Sequence, residues 1–498
     1  MNLLRTDRIR HADPAPSGDR WLFCGLLALL VWLPLPNGSH VAWASHLFSA
    51  LALSLLTLWC ALAALGRISG PPKRLDLLVP LLIWFLWLGW IMAQILPLST
   101  ELLSQISPNS ARIHRSVSAL PAVQSLNTLS IAPGKTLLAL ELSLGYFALY
   151  VLILVMVKDE SRTRQMLIIL AISGAVQGAY GSFMTLSGEE WGFFTHKTAY
   201  VGYATGTFVN RNHLAGYLEM TAAMGLALIL ADLGRGAKGK GLRHAVRGLV
   251  ELFFSTKFRI RALLVVMAIG LVLTRSRMGN TAFFLSLTAA GLGYIALRER
   301  RYFWRAFLLF GSLLLVDVAV VSNWFGLQKV VERVQQTGSD ESTQVRLTFL
   351  EEAPPLIETY VWTGSGLGTF ADAYAPFQTV KMRYYLDHAH NDYAEFLIET
   401  GIIGCALLAL LVGAHILHCL RVIDKRRRRL PVAVCFGGLM ALLALALHST
   451  VDFNLQIPAN AATLCVILAL CASMSAKSYP TNRDLRHNPE ERQNSLPP

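Results

Sequence analysis

Long apolar runs separated by short polar segments dominate the chain. A membrane-spanning helix needs about 20 apolar residues. Twelve segments approach or meet that length: 21–36, 41–65, 76–97, 137–157, 165–186, 212–233, 261–274, 280–297, 305–322, 393–420, 431–450 and 459–476. Two of them, 21–36 and 261–274, are short. The pattern predicts an all-α polytopic membrane protein with about 12 transmembrane helices. It divides the chain into a polar tail (1–20), helices one to nine (21–322), a large loop (323–392), helices ten to twelve (393–476) and a second polar tail (477–498).

Three connecting segments exceed a simple turn. Residues 98–136 are polar, with Pro and Ser; residues 187–211 are aromatic and Gly-rich. Residues 323–392 are the longest, about 70 residues with charges of both signs. Structureless loops of that length are uncommon and are often functional. Within it, Val345, Leu347, Phe349, Leu350, Leu356 and Ile357 follow an amphipathic helical pattern over 343–360. This loop is expected to form a folded cap. No internal repeat is evident, whereas an inverted-repeat transporter shows matched broken helices in two halves.

Composition agrees. Of 498 residues, 54% are hydrophobic and 15% charged, with a mean hydropathy of +0.47. Soluble domains run near 45–50% apolar and about 25% charged. The values exclude a soluble enzyme, a disordered chain and a DNA-binding domain. A formal charge of +13 suggests nucleic acid at first sight, but the basic residues sit between apolar runs, where they report topology. With the N-terminus inside, cytoplasmic segments hold 32 Lys/Arg and external segments 12. Both tails are then cytoplasmic. The seven cysteines all fall in apolar segments, so neither a disulfide framework nor a metal-binding spacing is read. The N-terminus lacks a small-residue cleavage site and reads as a tail entering a first span.

Charge at membrane depth is costly and marks functional candidates. Arg275 and Arg277 lie between two apolar runs, in Thr274-Arg-Ser-Arg-Met-Gly279. A guanidinium stays protonated and presents a planar fork to phosphate oxygens. The pair therefore suits a phosphate or diphosphate, Arg277 first because Gly279 allows close approach. Both arginines can instead snorkel to lipid headgroups. Arg346, on the cap helix, is a second candidate, with an ion pair to Glu351 or Glu352 as the alternative.

His388-Ala-His390-Asn391-Asp392 brings two histidines, an amide and a carboxylate to the point where loop meets membrane. Histidine can take a proton from a sugar hydroxyl near neutral pH. A zinc site is a weaker reading, since no third ligand cluster follows, and purely structural histidines are a third. Asp392, Glu395 and Glu399 share one helix face below them. Asn210-Arg211-Asn212-His213 carries more polar groups than a helix cap needs. His448 and Asp452 close the eleventh run. Asp317, Glu189, Glu190 and Trp191 are weaker candidates. Gly364-Ser-Gly-Leu-Gly368 lacks the ending of a P-loop and reads as a tight turn.

These residues resemble a known family. His390-Asn391, nine residues, then Gly401-Ile-Ile-Gly404 is similar to the His-Asn and Gly-x-x-Gly signature of the O-antigen ligase and polymerase superfamily. Thr274-Arg-Ser-Arg-Met-Gly, Asn210-Arg-Asn-His-Leu-Ala-Gly-Tyr, Gly364-Ser-Gly-Leu-Gly-Thr-Phe and His448-Ser-Thr-Val-Asp-Phe follow the family's order. The first 200 residues match in topology alone. The resemblance implies a GT-C-like helical glycosyltransferase of the bacterial inner membrane with its active site on the periplasmic face. It implies a glycan donor linked to undecaprenyl pyrophosphate. It also implies a glycan, lipid A–core or protein acceptor, membrane lipids as surroundings, and no metal, cofactor or nucleic acid. His390 corresponds to the base. Arg275 or Arg277 corresponds to one diphosphate contact and Arg346 to another; His388, Asn391, Asp392, Arg211, His213 and Asp452 are supporting or acceptor-binding candidates. Ligase and polymerase are not separable here. A solute transporter and a structural subunit of an export complex remain the competing classes.

Overall fold

Lipid offers no hydrogen bonds to a backbone, so an apolar segment crossing it must satisfy its own amides as a helix. The chain follows that rule. The computed structural model describes residues 17–71, 74–120, 126–191, 196–232, 256–298, 304, 341–379, 386–425 and 428–474, with the side chains of 17, 256, 257, 298, 341–347 and 350 excepted. The helices are α1 (Arg20–Trp32), α2 (Ala42–Ala64), α3 (Leu78–Ile95), α4 (Thr100–Ile106), α5 (Pro108–Ser118), α6 (Pro133–Met156), α7 (Glu160–Ser187), α8 (Arg211–Asp232), α9 (Thr256–Leu273), α10 (Arg277–Arg298), α11 (Glu341–Tyr360), α12 (Phe370–Tyr374), α13 (Asp392–Lys425), α14 (Arg429–His448) and α15 (Pro458–Ser473). Their ends carry local signals. Proline opens α5, α6 and α15, where its missing N–H costs nothing. The Asp159 carboxylate caps α7 through the Arg162 N–H, and Gly188, at φ 76°, closes it.

Eleven of the twelve expected segments are helices; the segment 305–322 and its Asp317 lie outside the described residues. Among the described residues, eight helices are long and apolar enough to cross a membrane. Of the other three, α1 and α15 are shorter, and α9 opens with Lys257, Arg259 and Arg261. The chain is a polytopic helical membrane protein, and the described residues stop short of the expected twelve spans.

Helix α8 is the centre of the bundle, buried along nearly its whole length. With lipid outside, association depends on close packing, and small residues permit it. The α7–α9 crossing places Gly270 directly on Gly178, and Gly437 of α14 lies against the Ala223 carbonyl of α8.

The cap docks on the bundle through backbone contacts. Helix α11 covers the expected amphipathic stretch and buries Phe349, Ala353, Leu356 and Tyr360. Phe349 meets Phe370 and Tyr374 edge-on at 5.7 and 5.6 Å. The Gly364–Gly368 turn follows, with Gly364, Gly366 and Gly368 all at positive φ. The Gln94 side chain of α3 donates to the Thr363 and Glu399 carbonyls and accepts from the Leu367 N–H. Helix α13 breaks at Gly401, at φ 64° and ψ −175°. There the Ile402 N–H donates to the Val361 carbonyl at 2.7 Å. Gly364 and Gly401, one from each glycine motif, meet there: cap and helix approach so closely at these two positions that no Cβ fits.

Candidate functional site

Five segments meet at one end of the bundle: the start of α2, the loop before α8, the α9–α10 break, the stretch entering α13 and the α14–α15 loop. Phe453, in the last of these, is the hub. His388 stacks on its ring at 4.4 Å and 19°. His213 and His390 meet the same ring edge-on at 4.6 and 4.9 Å. His40 stands 6.2 Å from His388.

The two histidines of His-Ala-His have different surroundings. His388 Nδ1 lies 2.7 Å from Glu395 Oε1, and the other Glu395 oxygen accepts the Ala389 N–H at 2.8 Å. Burial disfavours the imidazolium, but the charge and hydrogen bond of Glu395 outweigh it and raise the His388 pKa from 6.5 to about 9. His388 is therefore a cation at neutral pH. His390 sits at φ 50°, a backbone conformation costing about 1–3 kcal/mol that clusters at functional sites.

The His388–Glu395 pair also sets a pH dependence. A raised folded-state pKa contributes stability that is full below 6.5 and is lost as pH rises through about 9. At ~1.4 kcal/mol per tenfold change in proton affinity, the loss is on the order of 3 kcal/mol. Thermal melts between pH 6 and pH 10 should show this decline. Glu395→Gln should lower the melting temperature near pH 6 and flatten the slope; an unchanged slope would assign the decline elsewhere.

The remaining residues of this stretch are tied into the scaffold. Asn391 Oδ1 accepts the Ala394 N–H, and its amide donates to the Thr450 carbonyl. The buried Asp392 carboxylate accepts the Ser449 hydroxyl at 2.6 Å and the Leu455 N–H, clasping the α14–α15 loop. Glu399 accepts the Phe370 N–H at 2.9 Å and so faces the cap. None of the three carboxylates Asp392, Glu395 and Glu399 reaches open solvent. Asp452 accepts from the Asn212 amide and, at 2.8 Å, from the Phe453 N–H, and lies 3.4 Å from His213 Nε2.

Two of the arginines gather on Tyr203. Arg275 lies 5.4 Å and Arg211 4.2 Å from the centre of the Tyr203 ring, with Tyr200 also 5.9 Å from Arg211. Arg275 and Tyr200 share the positive-φ backbone, at 51° and 55°. Arg277 is the first residue of α10 and is exposed. Arg346 falls on α11, and its side chain lies outside those described. Glu190 pairs with Lys197 at 2.6 Å, and Trp191 meets His196 at a tilt, with ring centres 3.8 Å apart.

Four participants were not legible as candidates. Tyr203 and Phe453 are ordinary aromatics in sequence, and Gln94 is one amide in an apolar run. Glu219 had a signal, a carboxylate inside the run 212–233. It pairs with His448 Nδ1 at 2.9 Å, both side chains buried, directly beneath Gly279, whose Cβ position lies 3.2 Å from Glu219 Oε1. Among the described residues, no three His, Cys, Asp or Glu side chains converge as metal ligands.

No curated protein sequence matches the chain. Residues 262–409 match the family model described as O-antigen ligase. That stretch runs from α9 through the arginine break and the cap to the Gly401 break in α13. Over that stretch, the chain is similar to the O-antigen ligase family.

Proposed function

We propose that this protein transfers a glycan from undecaprenyl pyrophosphate to an acceptor hydroxyl on the periplasmic face of the bacterial inner membrane, with both termini cytoplasmic. The similarity of residues 262–409 to the O-antigen ligase family supports a ligase- or polymerase-type membrane protein acting on lipid-linked glycans. The donor, the mechanism and the residues are our reading. The observation that carries it is the unequal histidine pair. His388 is committed to Glu395 as a cation. His390 stands on the same Phe453 ring in a strained conformation. That leaves His390 as the base.

In this reading the acceptor oxygen attacks the anomeric carbon as His390 takes its proton. The glycosyl bond to the diphosphate breaks, and its electron pair leaves with undecaprenyl pyrophosphate. In-line attack inverts the anomeric centre. Charge grows on the leaving diphosphate, and fixed guanidinium groups in a low-dielectric cleft stabilise it more than water does. Arg275 is the best-placed arm, ahead of Arg277, because it is half-buried on Tyr203; Arg346 is a further contact from the cap. Asp452 and His213 orient the ring system around Phe453, and Asn391 and Asp392 hold its frame.

The test uses purified protein in nanodiscs with an undecaprenyl-pyrophosphate glycan, with or without lipid A–core. One product shift that needs the core means a ligase; a ladder from donor alone means a polymerase. Transfer should persist in excess chelator. Activity that disappears with chelator and returns with a divalent ion would overturn the arginine-only account. Absence of product with folded protein and several donors would overturn the donor assignment.

A further inference from the structure

Resting on the proposed donor, we infer that Tyr203 is a positioning residue that holds Arg211 and Arg275 as two arms of one diphosphate site. Arg211 begins α8 and Arg275 occupies the α9–α10 break, 64 residues apart in sequence. One ring brings them together, with guanidinium carbons 4.2 and 5.4 Å from its centre. Like charges repel, and the negative face of an aromatic ring offsets that repulsion. A ring shared by two cations therefore holds both near one point before any anion arrives.

The Tyr203 backbone is fixed on both sides. Its N–H donates to the Tyr200 carbonyl at 3.2 Å. Its carbonyl accepts from Lys197 Nζ at 2.8 Å, and that ammonium is itself paired with Glu190 at 2.6 Å. The next N–H, of Ala204, donates at 3.0 Å to the carbonyl of Leu273, the last residue of α9. The loop carrying the ring is thus tied to the segment carrying Arg275. Tyr200 and Arg275, at φ 55° and 51°, show that the backbone is strained on both sides of the ring, which needs a surrounding structure that enforces it.

Two arms at fixed spacing recognise two phosphoryl groups; one arm recognises one. The inference therefore predicts a preference, not only an affinity. Binding of undecaprenyl diphosphate and undecaprenyl monophosphate to nanodisc-embedded protein measures it, with inorganic pyrophosphate as competitor. Wild type should favour the diphosphate by about tenfold or more. Tyr203→Phe keeps the ring and should keep the preference. Tyr203→Leu should lose it, raising the donor KM and lowering kcat as well, because the same guanidinium groups stabilise the leaving diphosphate. If Tyr203→Leu does not fold, Arg211→Gln carries the same test, since it removes one arm and leaves the ring.

A Tyr203→Leu protein that still prefers the diphosphate would overturn the spacer role and leave the donor reading standing. Equal loss of both lipids in Tyr203→Leu would also overturn it, because a general structural defect does that. A wild type with no preference for the diphosphate would remove the donor reading and this inference together.

Discussion

His390→Ala is expected to lower glycan transfer by about 10²–10⁴-fold while leaving the melting temperature near that of wild type. The size follows from the role: a positioned general base contributes that factor, and no neighbour substitutes for it. His388 is the nearest alternative, but its Nδ1 is held 2.7 Å from Glu395 and its ring is stacked flat on Phe453. A histidine kept protonated by a carboxylate cannot accept the acceptor's proton. The retained stability follows from the backbone. His390 sits at φ 50°, a strain that alanine also carries, and its edge-on ring contact with Phe453 is lost without disturbing the backbone bonds on either side.

Two controls separate catalysis from folding. His388→Ala removes the partner of a buried carboxylate and should lower stability, which His390→Ala should not. The wild-type rate should fall toward acid pH as the base becomes protonated, and the residual rate of His390→Ala should lack that limb. Wild-type transfer by His390→Ala would place the base elsewhere.

Much of the scaffold was readable from the sequence because lipid imposes a strong rule. A run of apolar residues at membrane depth has to be a helix, and eleven such runs are helices. The cap helix was readable from its period, and its buried Phe349 and Leu356 belong to the expected apolar face. The His-Asn segment and the arginine break were readable because polar groups there are costly unless used. The partners were not. His388 and Glu395 are seven residues apart, yet nothing in their spacing says which histidine the carboxylate takes. Arg275 and Arg277 look alike until the sign of φ at Arg275 and the position of Tyr203 are known. Phe453 and Tyr203 act only as shared surfaces for distant residues, a property of tertiary packing with no local signature. Arg211 and Asp452 lie outside the family-matched 262–409, and yet they sit among its residues in space.

Gly401→Ala is expected to be strongly damaging. Gly401 breaks α13 at φ 64° and ψ −175°, a region open essentially to glycine alone. A Cβ there would fall on the Trp362 carbonyl and within 2.7 Å of the Gly364 nitrogen. Neither obstacle is a flexible side-chain end; both belong to the cap's docking turn. That turn is further held by the Ile402 N–H to Val361, the Ser365 N–H to Ile398 and the Gly366 N–H to Glu399. The backbone cost is about 1–3 kcal/mol, and overpacking adds about 1–3 kcal/mol more. The cap should therefore lift from α13, lowering the melting temperature and opening the turn to limited proteolysis. Transfer should fall with it, because the same helix carries Glu395, the partner of His388. Gly413→Ala is the matched control: it lies on the same helix and its Cβ would meet nothing within 4 Å, so it should melt as wild type does. If Gly401→Ala matched that control in stability and proteolysis, the close seating of the cap on the α13 break would be wrong, and the Gly-x-x-Gly motif would need a different physical reason.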